Sequence, residues 1–117
     1  MDVGTTKMQT YVENLADKYE FEQAGEVEGL LREHEDLAPL LIEARGQIAR
    51  CFGPNTSVTL MVAHDLRGEG EPKLLALIRT QLSVDEARKR EDQFDEEWWL
   101  DHLPLVRFRL NFCLHYV

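Results

Sequence analysis

The densest set of side chains able to do chemistry lies in the stretch SVDEARKREDQFDEEWWLDHLP, residues 83–104, where Asp95, Glu96, Glu97 and Asp101 surround the paired indoles Trp98 and Trp99. Carboxylates around a large aromatic group suit the docking of a basic protein surface: the acids steer and orient the partner, and an indole anchors it. Successive residues of an α-helix point about 100° apart, so the two tryptophans are not expected to fill one pocket. The first reading packs both indoles in the core and leaves the acids as a solvated helix face. The sharper alternative keeps one in the core and lets the other cover a sheet edge or stand partly exposed as an anchor.

A second set is basic. Arg79, Arg107, Arg109 and His115, joined by Lys73, fall on the outward positions of two expected strands, and such a face can meet an anion, an RNA strand or an acidic partner. The same arginines can equally serve to keep an exposed sheet face soluble. Glu91 and Asp95 stand four apart and stack on one helix face, and with His102, or with His64 and Asp65, they could offer oxygen and nitrogen donors to a divalent cation. No second ligand cluster at fixed spacing accompanies them, so neither a metal nor any other cofactor is expected. Cys113 and His115, two apart on a strand, make a weak thiol and base pair, because thiolate activation needs more than proximity. The sequence contains no GxSxG, HExxH, GxxxxGK[ST] or GxGxxG pattern, and the glycines of GEGEP are flanked by acids. The expectation is a protein that is not an enzyme.

Charge supports the same direction. A formal net charge of −9 over 117 residues disfavours nucleic acid as a ligand and favours a basic protein partner. A second copy of the chain, bound through the sheet face, is the other partner considered. The two cysteines have no CxxC or Cys/His spacing and are expected as free thiols of a reducing cytoplasm. No secretory pattern opens the chain, and no apolar run approaches the roughly 20 residues of a membrane helix, so a cytoplasmic location without membrane contact is expected.

These side chains must be held by a single domain, residues 1–117, with residues 1–6 frayed. Met8, Tyr11, Val12 and Leu15 give a short helix from about Lys7; Val27, Leu30 and Leu31 give a second, ending near His34. Asp36 is placed as the N-cap of a third, which Gly53 and Pro54 stop. Tyr19 and Phe21 lie in an extended connector. SVTLMVAH, residues 57–64, and KLLALIRT, residues 73–80, read as an antiparallel hairpin about the loop 66–72. Ser83 and Glu86 form a capping box. VRFRLNFCLHYV, residues 106–117, alternates with Val106, Phe108, Leu110, Phe112, Leu114 and Tyr116 on one face. The expected class is α+β: N-terminal helices, then β-β-α-β, a three-stranded, mainly antiparallel sheet of order 2-1-3 with helices on one face.

The run LSVDEARKREDQFDEEWWLDHLP followed by a strand ending in HYV resembles a group of small bacterial proteins with an FDEEWWLD-type helix and a C-terminal strand. LLREHEDLAPLLIEARGQIARCFG is similar to the same group, so the likeness covers most of the chain after about residue 19. The group has no settled activity, and the resemblance implies at most an association with toxin and antitoxin genes and an antitoxin-like or regulatory role. Its members tend to have leucines where this chain has Arg88 and Glu91, so the middle of the segment departs from the group's pattern.

Overall fold

A computed structural model describes residues 3–64 and 70–117, with side chains from Thr10 onward in the first helix. Asp65 and most of the expected loop 66–72 lie outside the described residues. The elements in chain order are α1 (Val3–Lys18), β1 (Glu20–Phe21), α2 (Ala24–Glu33), α3 (Leu37–Phe52), β2 (Val58–Ala63), β3 (Lys73–Thr80), α4 (Val84–Phe94), a π-helical turn (Asp95–Trp99), α5 (Leu100–Val106) and β4 (Leu110–Tyr116). The mixed α and β class is as the sequence suggests, and α1 begins before the expected Lys7.

The sheet differs from expectation in strand number and order. Its four strands run β1-β2-β3-β4. β2 and β3 form the expected antiparallel hairpin, with Val58 opposite Ile78 and Ala63 opposite Lys73. β4 lies beside β3 and parallel to it, Leu74 pairing with Leu110 and Thr80 with Tyr116. The 2-1-3 order is therefore corrected: α4, the π-helical turn and α5 return the chain to the neighbouring position, as an ordinary β-α-β crossover does. The place beside β2 is taken instead by β1, which pairs in parallel, Glu20 with Thr59 and Phe21 with Leu60. That strand hides in the sequence because only two residues pair. Tyr19 just before it is fixed by its side chain: the buried phenol donates to Leu41 O at 2.6 Å. Burial pushes its pKa up, against a smaller opposing effect of Arg45, and keeps it a neutral donor.

Side-chain parity places the core. Val58, Leu60, Leu74, Ala76, Ile78 and Leu110 are buried and belong to one cluster with Leu15, Val27, Leu31, Leu41, Ile48, Phe94, Trp98 and Trp99. The opposite parity, Thr59, Met61, Ala63, Leu75, Leu77 and Cys113, is only half-buried and lies outside that cluster. The double-sided apolar character of β2 and β3 thus has only one of its faces in the core.

Two helix starts separate propensity from outcome. Ser83 caps α4 as expected, its hydroxyl accepting from Glu86 N–H at 3.2 Å. Glu86 does not complete the box, because its carboxylate receives Arg90 Nε at 3.1 Å. Asp36 makes no cap bond at α3 and has a helical backbone. Its carboxylate is engaged elsewhere, by Arg109. At the other end of α3, Gly53 has φ +111°, a conformation that suits glycine and stops the helix.

Candidate functional site

α4 and α5 are joined without a break by the π-helical turn Asp95–Trp99, in which Leu100 N–H bonds back to Asp95 O, five residues earlier. Fitting more residues into each turn lowers the angle between successive side chains below the α-helical value. The consequence falls on the tryptophans. Trp98 and Trp99 are 5% and 4% exposed, with ring centroids 6.0 Å apart and planes 24° from parallel. Phe112 of β4 meets both edge-on, at 6.3 and 4.7 Å. Phe94 packs on Trp98 at 5.5 Å, and the indole N–H of Trp98 donates to Glu43 Oε1 at 2.8 Å. The sequence geometry that separates adjacent indoles by about 100° does not apply in this turn, and neither ring is left at the surface.

The acids around them divide. Glu97 is bound to Arg50 and also receives Gln93, and the Arg50 hydrogen bond holds its carboxyl below the usual range. Glu96 and Asp101 are exposed. Asp95 is half-buried and its pKa is pushed up to about 6, first by burial and then by Glu91, Asp92 and Glu96. Burial and Asp92 likewise raise Glu91, with Arg88 opposing. Glu91, Asp92, Asp95 and Glu96 therefore make a wall of mutually repelling carboxyls on α4 and the π-helical turn. His102 does not join it: Nδ1 lies 2.8 Å from Trp98 O and the ring stacks on the Trp98 indole at 4.4 Å. His64 lies against Glu26 at 2.6 Å. Among the described residues, no group of three His, Cys, Asp or Glu is arranged to hold a metal ion.

The basic set is not brought together on one face. Arg79 and His115 are register partners on the half-buried side of the sheet, and Arg79 reaches Glu20 at 3.4 Å. Arg107 and Arg109 leave it because residues 106–109 are a helix end and turn rather than strand: α5 runs through Pro104 to Val106 and β4 begins at Leu110. Arg109 binds the Asp36 carboxylate with both amino nitrogens, at 2.8 and 2.6 Å, while Nε and one amino group donate to Val106 O and Leu105 O at 2.8 and 3.0 Å. These last two carbonyls end α5; Val106 O also accepts Arg109 N–H at 2.9 Å, and the guanidinium adds a donor to each. Cys113 remains on the sheet face, its thiol pushed up by burial and then by Glu91, away from thiolate character. Both cysteines are free.

Between α5 and β4 the backbone does something the alternation conceals. Arg107 and Phe108 have φ +48° and +66°, two consecutive left-handed residues that are not glycine. Each such conformation costs on the order of 1 kcal/mol or more. Phe108, expected to face inward with Leu110, is instead 87% exposed. With Lys73, Leu103, Pro104, Arg107, Leu110 and Asn111 it lines a groove of about 530 Å³. No sequence signal marks this: Phe108 continues a strand pattern that the chain abandons at Arg107.

The uncovered sheet face is the other site that sequence reasoning underweighted. Half-buried Met61, Leu75, Leu77 and Cys113 occupy its middle. Glu20, Glu22, Thr59, Leu77, Arg79 and His115 line a shallow groove of about 370 Å³ towards one end. The signal was present, since SVTLMVAH and KLLALIRT are apolar at both parities. No described helix is long and apolar enough to cross a membrane. No protein-family model, curated protein or solved structure matches the chain.

Proposed function

We propose that the chain is a non-enzymatic interaction protein that acts as a homodimer, its uncovered sheet face packed on a second copy and its acidic wall turned outward to a basic protein surface. The observation that carries this reading is the row of half-buried apolar side chains, Met61, Leu75 and Leu77, which lie outside the core cluster of the described residues. A second copy suits the face because its charges complement themselves. Glu20 and Glu22 lie at the β1 edge, whereas Lys73, Arg79 and His115 lie on β3 and β4. A two-fold axis along the strands sets the acidic edge of each copy over the basic half of the other. Their near cancellation also matters in a chain of net charge −9, where most approaches of two copies are repulsive.

In that assembly Glu91, Asp92, Asp95 and Glu96 stay accessible. Asp95 is held up first by burial and then by its neighbouring carboxylates, and a docked cation would offset that second part, which supports a basic partner in an antitoxin-like or regulatory role. Sedimentation of wild type against Leu77→Arg tests the dimer: a monomeric variant with unchanged circular dichroism is expected, and equal mass for both discards the sheet interface. Pull-down with Glu96→Lys tests the wall separately, because Glu96 is exposed and does not line the sheet-face groove; an unchanged set of captured basic proteins counts against it.

A further inference from the structure

We propose that the groove between α5 and the start of β4 binds a small apolar carboxylic acid, its tail against Leu103, Pro104, Phe108 and Leu110 and its carboxylate between Lys73 and Arg107. Three independent observations lead there. The first is size and lining: about 530 Å³ with a mainly aliphatic and aromatic wall, and Asn111 as an additional polar group at the mouth, is the make-up of a small-molecule site.

The second is charge. In this acidic chain Arg50, Arg79, Arg90 and Arg109 each have a carboxylate partner: Glu97, Glu20, Glu86 and Asp36. Lys73 and Arg107 line the groove with no ion pair to any described residue. Glu71 lines the neighbouring groove with them and makes no ion pair to either. Two cations above an apolar floor select a single negative charge carried on an apolar body. The carbonyls at the end of α5, which would repel an anion, are already bonded by the Arg109 guanidinium.

The third is the backbone. The turn holds two non-glycine residues at positive φ, and what it secures is a phenylalanine standing in water. The turn itself serves the fold, since Arg107 is the left-handed C-cap of α5 and Arg109 N–H closes back on Val106 O at 2.9 Å. The exposed ring it presents makes sense if Phe108 forms one wall of a ligand site, held open before the ligand arrives.

The experiment is a calorimetric titration with octanoate, octan-1-ol and inorganic phosphate, accompanied by melting curves. Octanoate is expected to bind at least about tenfold tighter than octanol, and phosphate not at all. Lys73→Gln and Arg107→Gln should each weaken octanoate by about tenfold and leave octanol unchanged. Phe108→Gly should abolish octanoate binding while raising the melting temperature of the free protein, a combination that loss of folding cannot produce. Equal affinity for octanoate and octanol, or wild-type octanoate affinity in both charge variants, overturns the proposal. So does tighter binding of a free-carboxylate Leu-Phe dipeptide than of octanoate, which would assign the groove to a chain terminus instead. The dimer proposed above rests on Leu77, outside this groove, so either idea can fail alone.

Discussion

The helical run from Val84 to Val106 departs from regular α-helix twice, and the two departures treat aromatic side chains in opposite ways. At Asp95–Trp99 the turn widens and both indoles enter the core. At Arg107 and Phe108 the backbone crosses to positive φ and a phenyl ring is left 87% exposed. One irregularity serves packing, since its distortion is repaid by ring contacts with Phe94 and Phe112 and a bond to Glu43. The other ends α5 through a left-handed C-cap at Arg107 but leaves its aromatic ring in solvent. Residue type alone is a poor guide to exposure here: the acid-rimmed tryptophans are buried, and a phenylalanine in an apparently alternating strand is not.

The comparison is open to breakage by mutation. The largest effect is expected from Trp98→Ala, which removes a buried indole and should cost about 3–5 kcal/mol in urea unfolding. A loss below about 1 kcal/mol would return the indole to the surface. Next comes Arg109→Ala: it deprives Asp36 of a two-point partner and the Leu105 and Val106 carbonyls of their guanidinium donors, Val106 O keeping only the backbone N–H of residue 109, and should cost about 2 kcal/mol by the same measurement. Phe108→Gly should move the other way, stabilising by about 1 kcal/mol as strain is relieved; destabilisation would show that the ring supports the fold.

The smallest effects concern pH and have opposite signs at the two ends. The folded pKa of Asp95 is raised, so the folded state retains a proton that the unfolded chain gives up first. Stability at this group is thus lost as pH rises from about 4 to about 6. Asp95→Asn should flatten that slope and, because the half-buried group is still partly screened by solvent, gain no more than about 1 kcal/mol at pH 7. Asp36 is depressed, chiefly by its Arg109 hydrogen bond, so its contribution is present at neutral pH and disappears on acidification below the usual carboxylate range. Unfolding midpoints of Asp95→Asn and Asp36→Asn against pH should therefore diverge from wild type in different windows. Coincident profiles would remove the distinction.

Much of the framework was legible because it depends on local pattern. The apolar spacing of Leu37, Leu41, Ala44 and Ile48, the hydroxyl of Ser83 at a helix start and the stop at Gly53 each act through neighbours in the chain. The misses are long-range. β1 exists because two residues find β2 some 39 positions away. The alternation of 106–109 is overruled by helix continuation through Pro104 and by Arg109 reaching Asp36, 73 residues distant. The same reach explains why Arg79, Arg107, Arg109 and His115 do not share a face. The π-helical turn that carries both tryptophans is a helix type that no spacing announces.

The Asp36 and Arg109 contact also bears on the order in which the molecule assembles. It ties the first turn of α3 to the residue that introduces β4, so it can form only once the hairpin is built and the crossover has swung back over it. Interactions of such long sequence separation close late and are weakly developed when the folding barrier is crossed. Weakening this tie should accordingly leave the rate of folding nearly unchanged and quicken unfolding, so that one exposed-edge guanidinium governs how long the native state lasts more than how soon it is reached.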